Sequence, residues 1–198
     1  MSDVTPTRSA VLELKEERRA MRDGYVFLDE KCLLLAAEIL RELSRHETLR
    51  QRFLASYATA VASLQAGVAR HGLHGLQVYP AAELSGAELQ RTARTLMGVR
   101  LQDVVLRAEA LPPAAAIDPS PEAETCRRAF AAVLDAAAPL AAVAGNLTRL
   151  SLEYRRSVRR AHALQDVLLP ELDGTVADLE TRLEEFEQED AIWMRHRS

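Results

Sequence analysis

The sequence has few of the residues from which β-rich and disulfide-stabilised folds are built. Of 198 residues, only 17 are Val or Ile and 5% are aromatic, which is little material for a sandwich, a barrel or a doubly wound sheet. The two cysteines, Cys32 and Cys126, are too few for a disulfide framework. Alanine and leucine together supply 63 residues, and both favour helix. The composition therefore predicts a mainly α-helical protein.

The sequence also lacks a strong net charge and an apolar leader. A formal charge of −4 gives no overall attraction to nucleic acid or to an anionic membrane. Residues 1–9 lack the apolar core of a secretory signal. The longest charge-free stretch, 53–69, is interrupted by Ser, Tyr, Thr and Gln, which makes it a poor membrane span. We therefore expect a cytoplasmic protein with no segment inserted in a membrane.

The common catalytic and metal-binding motifs are missing as well. The only lysines, Lys15 and Lys31, do not follow a glycine-rich turn, so there is no P-loop. His71 and His74 are spaced like two metal ligands, but no Cys, Asp or Glu stands near them at metal-site spacing, and we favour a solvated turn. No Glu-x-x-His, as a di-iron bundle needs, is present. We expect no catalytic residue, cofactor or metal in this chain.

Apolar residues recur every three or four positions over two long segments. In the first, the stripe runs over 11–39, shifts its phase at Leu43 and resumes over 53–68; in the second, it runs over 126–186 and includes Gln165, Leu168 and Leu172. This spacing is typical of coiled coils. One helix cannot bury so long a stripe alone. We therefore predict an all-α (mainly) fold built on a long antiparallel two-helix coiled coil.

Glycine and proline divide the chain into three parts. Five of the eight glycines lie between residues 67 and 98, and five of the eight prolines between 80 and 121. We predict a first long helix of the coiled coil over 6–71, a middle region over 72–119 and a second long helix over 120–196. Thr5 is the expected N-cap of the first helix.

The middle region is expected to carry a small hairpin. Residues 76–79 and 99–101 alternate like short strands, whereas 88–95 has a helical pattern. In the second long helix, Pro139 and Pro170 each remove a backbone hydrogen bond and are expected to bend it.

Antiparallel pairing makes the numbers of facing residues add to about 191. This register keeps the two cysteines apart and sets the acidic segment 171–190 beside the basic residues of 8–22. We interpret the basic patch of 155–160 as a solvated face balanced by acids such as Glu30 and Glu38. A contact with an acidic partner protein is the alternative.

Three stretches carry a family resemblance. The first is Thr5-Pro6-Thr7-Arg8-Ser9 with Leu12, Leu14-Lys15, Gly24-Tyr25, Leu28 and Lys31. The second is Met97-Gly98-Val99. The third is Arg159-Arg160-Ala161-His162-Ala163-Leu164-Gln165-Asp166-Val167-Leu168-Leu169-Pro170 with Leu172. Together they resemble the D subunit of the V-type (V/A-type) ATP synthases, the central rotor shaft, over nearly the whole chain. The chain departs from the family pattern at Gln102, His162 and Gln165 and in its short 191–198 end.

The resemblance implies a non-catalytic central-stalk component that couples ATP synthesis or hydrolysis in a catalytic head to proton or sodium translocation through a membrane ring. The implied partners are the catalytic A and nucleotide-binding B subunits around the torque-bearing segments 7–22 and 171–193, the small F subunit along the coil, and the C subunit, a funnel-like adaptor, at the lower end. The implied location is cytoplasmic, peripheral to the membrane through the complex. The implied partner-interface residues are Arg8, Leu12, Lys15, Met97, Gly98, Val99, Arg159, Arg160, Leu168, Pro170, Leu172 and Phe186.

Two alternatives from other classes remain at this point. A cytoplasmic coiled-coil scaffold or tether needs only the two long helices, but it does not explain the three motif stretches. A helical-bundle enzyme or ligand binder would need a compact shape, whereas helices of this length predict an elongated one.

Overall fold

The structure is a computed structural model that describes residues 7–77, 79–80, 86–108 and 119–197. Its elements in chain order are α1 (Arg8–Gln77), β1 (Ala87–Leu96), β2 (Val99–Ala108), α2 (Pro121–Ala163), a π-helical segment (Leu164–Leu168) and α3 (Leu169–Arg197). The two strands form an antiparallel two-stranded sheet. The predicted fold class is confirmed.

Both long helical segments begin at capped positions. The Thr7 hydroxyl accepts a hydrogen bond from the Ala10 N–H at 3.2 Å, and the Ser120 hydroxyl accepts one from the Ala123 N–H at 3.2 Å. Pro121 follows at the first helical position, where its missing N–H costs nothing. The cap expected at Thr5 lies outside the described residues, and Thr7 caps α1.

Helix α1 is kinked at Gly72, directly after residue 71, where the first long helix was expected to end. Gly72 has a non-helical backbone (φ 68°, ψ 167°), which a residue without Cβ adopts readily. The helix then continues to Gln77. The strand expected over 76–79 is therefore wrong at Leu76 and Gln77, which are helical, while Val78 lies outside the described residues.

The hairpin pairs ten residues of each strand, from Ala87 opposite Ala108 to Leu96 opposite Val99. Met97 and Gly98 form the turn with φ of 47° and 83°, the two positive values of a type I′ turn, whose twist matches that of the strands. The strand predicted over 99–101 is confirmed. The helix predicted over 88–95 is wrong, because those residues pair with the Val- and Leu-rich β2 and cross-strand contacts outweigh their local preference.

The chain forms two compact units, Met1–Leu34 with Glu153–Ser198 (unit 1) and Leu35–Leu152 (unit 2). In unit 1, α1 and α3 run antiparallel and bury Val11, Val176 and Leu179. In unit 2, α1 and α2 bury the apolar side chains of Leu35, Ala60, Val143 and Leu150. The pairs Arg18 with Asp173 and His71 with Ser120 both fit the predicted register.

The buried face of α1 keeps an unbroken heptad spacing through unit 2. Glu42 is 1% exposed, whereas Leu43 is 47% exposed and Tyr57 is largely exposed. The phase shift predicted at Leu43 is therefore wrong. The prediction followed apolar residues only, but this seam also carries polar side chains.

A π-helical segment separates α2 from α3 and changes the phase of the second helix. The Leu169 N–H bonds to the Leu164 carbonyl, five residues earlier, just before Pro170, which has no N–H and excludes the carbonyl four residues earlier. The extra residue turns Leu164 and Leu169 inward and leaves Leu168 41% exposed. The predicted seam positions Gln165 and Leu168 are thus wrong.

By length and composition alone, the described helix Pro121–Arg197 could span a membrane. This helix, and not the charge-free stretch 53–69, meets that criterion within the described ranges. Val133, Ala136 and Val143 in this helix are buried in unit 2, while 17% of its most apolar window is buried.

Candidate interaction surfaces

The turn end of the hairpin is held to α2 through Asn146, which is fully buried. Its side-chain Oδ1 accepts a hydrogen bond from the Gln102 N–H at 2.8 Å, and its Nδ2 donates to the Gln102 carbonyl at 2.9 Å. Arg149 adds a bond from Nε to the Arg100 carbonyl at 2.9 Å. Because Val99 and Leu101 are also buried, this part of β2 is fixed by both polar and apolar contacts.

An ionic cluster with two buried carboxylates joins β1 to α1. Arg94 of β1 bonds to Glu38, and its Nη2 lies 3.4 Å from Glu42 Oε1. Arg41 donates to Glu38 at 2.7 Å, and Asn146 Nδ2 donates to Glu42 at 3.3 Å. We call Glu38, Glu42, Arg94 and Asn146 the hairpin clasp. Each buried carboxylate therefore has a charged and hydrogen-bonded partner, without which its burial would be costly.

The charges of the clasp stabilise one another. Burial raises the pKa of Glu38, but the hydrogen bonds and charges of Arg94 and Arg41 lower it by more, so the pKa lies below its ordinary value. Glu38 in turn raises the pKa of Arg94. At neutral pH the clasp therefore holds an ionised carboxylate and a guanidinium.

The chemistry of the clasp suits a structural role. Its carboxylates bond to guanidinium groups, which leaves them poorly suited to proton transfer or metal ligation. Across the described residues, no group of three or more His, Cys, Asp and Glu side chains could hold a metal ion. His71 Nε2 lies 2.6 Å from the Ser120 hydroxyl.

Ion pairs flank the two helices of unit 1. Arg8 lies 2.6 Å from Glu187, Lys15 lies 2.5 Å from Glu180, and Arg18 lies 3.1 Å from Asp173. The predicted placement of basic against acidic residues is therefore present. Exposed pairs contribute only about 0–1 kcal/mol each, so their main effect is to favour this antiparallel register.

A less exposed pair lies near the other boundary of unit 1. Lys31 Nζ is 2.5 Å from Glu153 Oε1, and both side chains are largely buried. The Lys31 hydrogen bond lowers the pKa of Glu153, and the charges of Arg156 and Arg160 act in the same direction. Part of the basic patch is thus balanced by an acid on its own helix.

The prediction that Glu38 balances the basic patch of 155–160 is wrong. Glu38 is bound by Arg94 and Arg41 in unit 2, while Arg155, Arg156, Arg159 and Arg160 are exposed. No pattern in the sequence indicates that the hairpin contacts α1, so the arginine that neutralises Glu38 could not be identified from it.

The structure distributes the predicted interface residues over both units. In unit 1, Arg8 and Lys15 form ion pairs, Leu172 is half-buried, and the exposed members are Leu12, Arg159, Arg160, Leu168, Pro170 and Phe186. In unit 2, Met97 and Gly98 form the exposed turn, whereas Val99 is buried against the helices. Val99 therefore supports the hairpin.

Sequence reasoning did not identify the clasp: it did not single out Glu42, Arg94 or Asn146, and it assigned Glu38 to a different basic group. A signal was present at Asn146 and Glu42, because each stands at heptad spacing from buried residues, three or four positions from Val143 and Leu150 or seven from Leu35. Single polar residues at such positions fix the register of coiled coils. Arg94 carried no signal, because its strand was predicted as helix.

Large apolar side chains remain exposed on unit 1. On α1 they are Leu12, Val26, Phe27, Leu33 and Leu34, and on α3 they include Phe186, Ile192 and Trp193, the last 71% exposed. We regard these exposed apolar side chains as candidates for contacts with other proteins.

Comparisons with known proteins find similar sequences over nearly the whole chain. The family model described as the D subunit of ATP synthase matches residues 10–196. A V-type ATP synthase D subunit of Thermotoga neapolitana is 23% identical over 193 residues, covering 97% of this chain and 95% of the relative. An A-type ATP synthase D subunit of Thermococcus gammatolerans is 28% identical over 193 residues, covering 94% of this chain and 89% of the relative. That of Methanopyrus kandleri is 25% identical over 199 residues, covering 98% and 85%.

Proposed function

Since the chain belongs to the D-subunit family of ATP synthases, we propose that it is the non-catalytic rotor shaft in the central stalk of a V/A-type rotary ATP synthase. The observation that carries the proposal is the extent of the family match, which runs over 10–196 and so includes both long helical segments and the hairpin. In this role the chain couples ATP synthesis or hydrolysis in the catalytic head to proton or sodium translocation through the membrane ring.

The surface of unit 1 suits a rotor inside a ring of subunits. Two antiparallel helices have no threefold symmetry, and their exposed apolar residues differ, with Leu12 and Phe27 on α1 and Phe186 and Trp193 on α3. Three equivalent catalytic sites around such a pair meet three different surfaces. Rotation then favours a different conformation at each site in turn, because each surface has its own affinity for the neighbouring subunit.

The proposed partners divide between the two units. The A and B subunits contact segments 7–22 and 171–193, through residues such as Arg8, Lys15 and Phe186. The F subunit binds along the coil, and the C subunit, as adaptor, receives the lower end, near the middle region. In this arrangement the chain is cytoplasmic and joins the membrane only through the complex.

A pull-down under native conditions tests the proposal. A tagged chain is expressed in the native cell, membranes are dissolved in mild detergent, and bound proteins are identified by mass spectrometry. We expect two large subunits, one with a P-loop, a small partner and the proteins of the membrane ring. Val176→Asp, which places a charge in the buried seam of unit 1, is the control and is expected to lose them all.

Recovery of none of these subunits by the tagged wild-type chain, from cells shown to express them, would overturn the proposal. A cytoplasmic coiled-coil scaffold would then be the better explanation of the two long helical segments.

A further inference from the structure

The two edges of the hairpin differ in what covers them. In an antiparallel pair, residues alternate between those whose backbone groups face the partner strand and those whose groups face outward. Gln102 faces outward, because its N–H and carbonyl both bond to Asn146, and the outward carbonyl of Arg100 bonds to Arg149. The edge of β2 is therefore occupied by α2 side chains near the turn.

The edge of β1 carries the corresponding groups without such a cover. Gln102 pairs with Ala93, so Ala93 faces outward on the opposite edge, as do Leu89 and Arg91 at steps of two. All residues from 88 to 93 are exposed. Within the described part of the chain, no hydrogen bond from another element reaches the backbone of these three residues.

This edge lacks two of the usual devices that prevent strand pairing, proline and a bulge. Natural edge strands are kept short, or carry charged side chains, a proline, a bulge or inward-facing charges, and of these β1 has exposed Arg91 and inward-facing Arg94. β1 contains no proline, and its ten residues pair with β2 without a bulge. A long, regular and open edge is a template on which another extended segment can add as a third strand.

The side chains along the edge indicate what kind of segment fits. Leu89, 50% exposed, and Arg91 point to the same face, two positions apart, and Arg100 lies on that face opposite Thr95. No ion pair within the described residues joins Arg91 or Arg100 to an acid. A complementary strand therefore places an apolar side chain beside Leu89 and an acidic side chain beside Arg91.

We propose that the open edge of β1 binds an extended segment of a partner polypeptide, with an apolar and an acidic side chain two positions apart, as the third strand of the hairpin sheet. A second copy of this chain is the competing occupant: its symmetric antiparallel register centred on Arg91 sets two arginines opposite each other, which is unfavourable, and its other registers are separated from a partner segment by the dilution test below. The proposal rests on the proposed function in one respect: the partner is sought within the ATP synthase complex.

Amide hydrogen exchange resolved to single residues tests the proposal, on the isolated chain and on the purified complex that contains it. In the isolated chain, the outward amides of Leu89, Arg91 and Ala93 should exchange rapidly, whereas the inward amides of Gln90 and Thr92 should exchange slowly. In the complex, the three outward amides should slow by at least tenfold. Outward amides that stay fast in the complex would overturn the proposal.

Protection of the outward amides in the isolated chain would also overturn it. Protection that disappears on dilution would indicate a second copy, and protection that persists would indicate cover by the chain itself.

Two pairs of variants separate backbone pairing from charge. Ala93→Pro removes an outward N–H, whereas Ala93→Val keeps it and favours strand. Only the proline variant should lose the protection at Leu89 and Arg91 in the complex. Arg91→Glu should weaken protection at least tenfold, whereas Arg91→Lys should keep most of it. Equal protection in all four variants would contradict the proposal.

Measurements on the purified ATP synthase complex distinguish failure of the strand addition from failure of the proposed function. If the chain is present in the ATP synthase complex and its β1 edge exchanges rapidly there, only the strand addition fails. If the chain is absent from a complex that is otherwise assembled, the proposed function fails.

Discussion

Glu42 occupies a seam position where an apolar side chain would pack with less cost. Its carboxylate is 1% exposed and is balanced by Arg94 at 3.4 Å, by Asn146 at 3.3 Å and by Arg45 at 3.7 Å. A buried ion pair is often no more stabilising than an apolar contact of similar volume. What the clasp adds is a link between the hairpin and both helices, because Arg94 of β1 and Asn146 of α2 both reach Glu42 of α1.

Removal of Arg94 should destabilise the protein more than removal of a neighbouring exposed arginine. Arg94→Ala leaves the buried Glu42 and Glu38 short of a cation, and we expect a loss of about 3 kcal/mol in the free energy of unfolding. Urea denaturation of the isolated chain followed by circular dichroism measures it. Arg91→Ala, three positions earlier and exposed, is the matched control and should change stability by less than about 0.5 kcal/mol. Equal losses in the two variants would show that the clasp does not stabilise the chain.

The lowered pKa of Glu38 predicts a pH-dependent contribution to stability. Since Arg94 and Arg41 hold the folded pKa below the ordinary value of 4.5, the contribution is complete above that value and is lost as the pH falls through the folded pKa. The difference in urea midpoint between the wild type and Glu38→Gln should therefore be constant from about pH 7 to pH 5 and shrink toward about pH 3. Exposed Glu88→Gln is the control. A difference for Glu38→Gln that persists unchanged at about pH 3 would contradict this assignment.

At the scale of elements, the hairpin turn makes a direct prediction about glycine. A Cβ at Gly98 or at Gly174 would meet no atom within 4 Å, but Gly98 has a φ of 83° and Gly174 lies in helix α3. Gly98→Ala should therefore lower stability by about 1 kcal/mol through backbone strain. Gly174→Ala should raise it by roughly 0.5–1 kcal/mol through helix propensity. Thermal and urea unfolding of the two variants check the opposite signs, and a stabilising Gly98→Ala would contradict the turn geometry.

The π-helical segment predicts which leucine and valine positions tolerate charge. Leu168 was expected in the seam, but it is 41% exposed, whereas Val176 is 2% exposed. Val176→Asp should therefore cost several kcal/mol, because it buries an unpaired carboxylate, while Leu168→Asp should cost at most about 1 kcal/mol. Unfolding midpoints of the isolated variants measure both. A large loss in Leu168→Asp would restore the continuous heptad and argue against the π-helical phase change.

The long helices were predictable because their signal is repeated over many turns. The spacing of residues such as Leu35, Ala60 and Val133, all buried, predicts burial even where single positions deviate. Three features were not predictable in the same way. Glu42 is polar at a seam position, the phase change before Pro170 depends on local backbone geometry, and β1 is a strand only because β2 pairs with it.

The candidate surfaces also divide into those that the sequence predicts and those that depend on tertiary contacts. The exposed ends of unit 1 were accessible from sequence, because the basic residues of 8–22 and the acidic residues of 171–190 are visible as charge runs. The clasp was not, because it joins residues 38, 42, 94 and 146, whose distances along the chain are set by how the hairpin folds back onto the helices. Contacts of this kind require the tertiary structure.

For the molecule as a whole, the proposed rotor role predicts that some exposed side chains matter only in the complex. Phe186, Ile192 and Trp193 are all more than half exposed, so replacing the three by alanine should leave the unfolding midpoint of the isolated chain nearly unchanged. In the complex, buried aromatic and apolar contacts of this kind contribute about 1–2 kcal/mol each. The triple variant should therefore bind the catalytic head at least about tenfold more weakly.

A titration of the purified catalytic head with the isolated chain, with affinity and ATP hydrolysis measured together, tests this prediction. The matched control is Leu54→Ala, which removes an exposed leucine of unit 2. It should leave the affinity unchanged, because the proposal places the catalytic head around unit 1. Equal loss in both variants would indicate a nonspecific effect, and no loss in the triple variant would contradict the placement of segment 171–193 within the head.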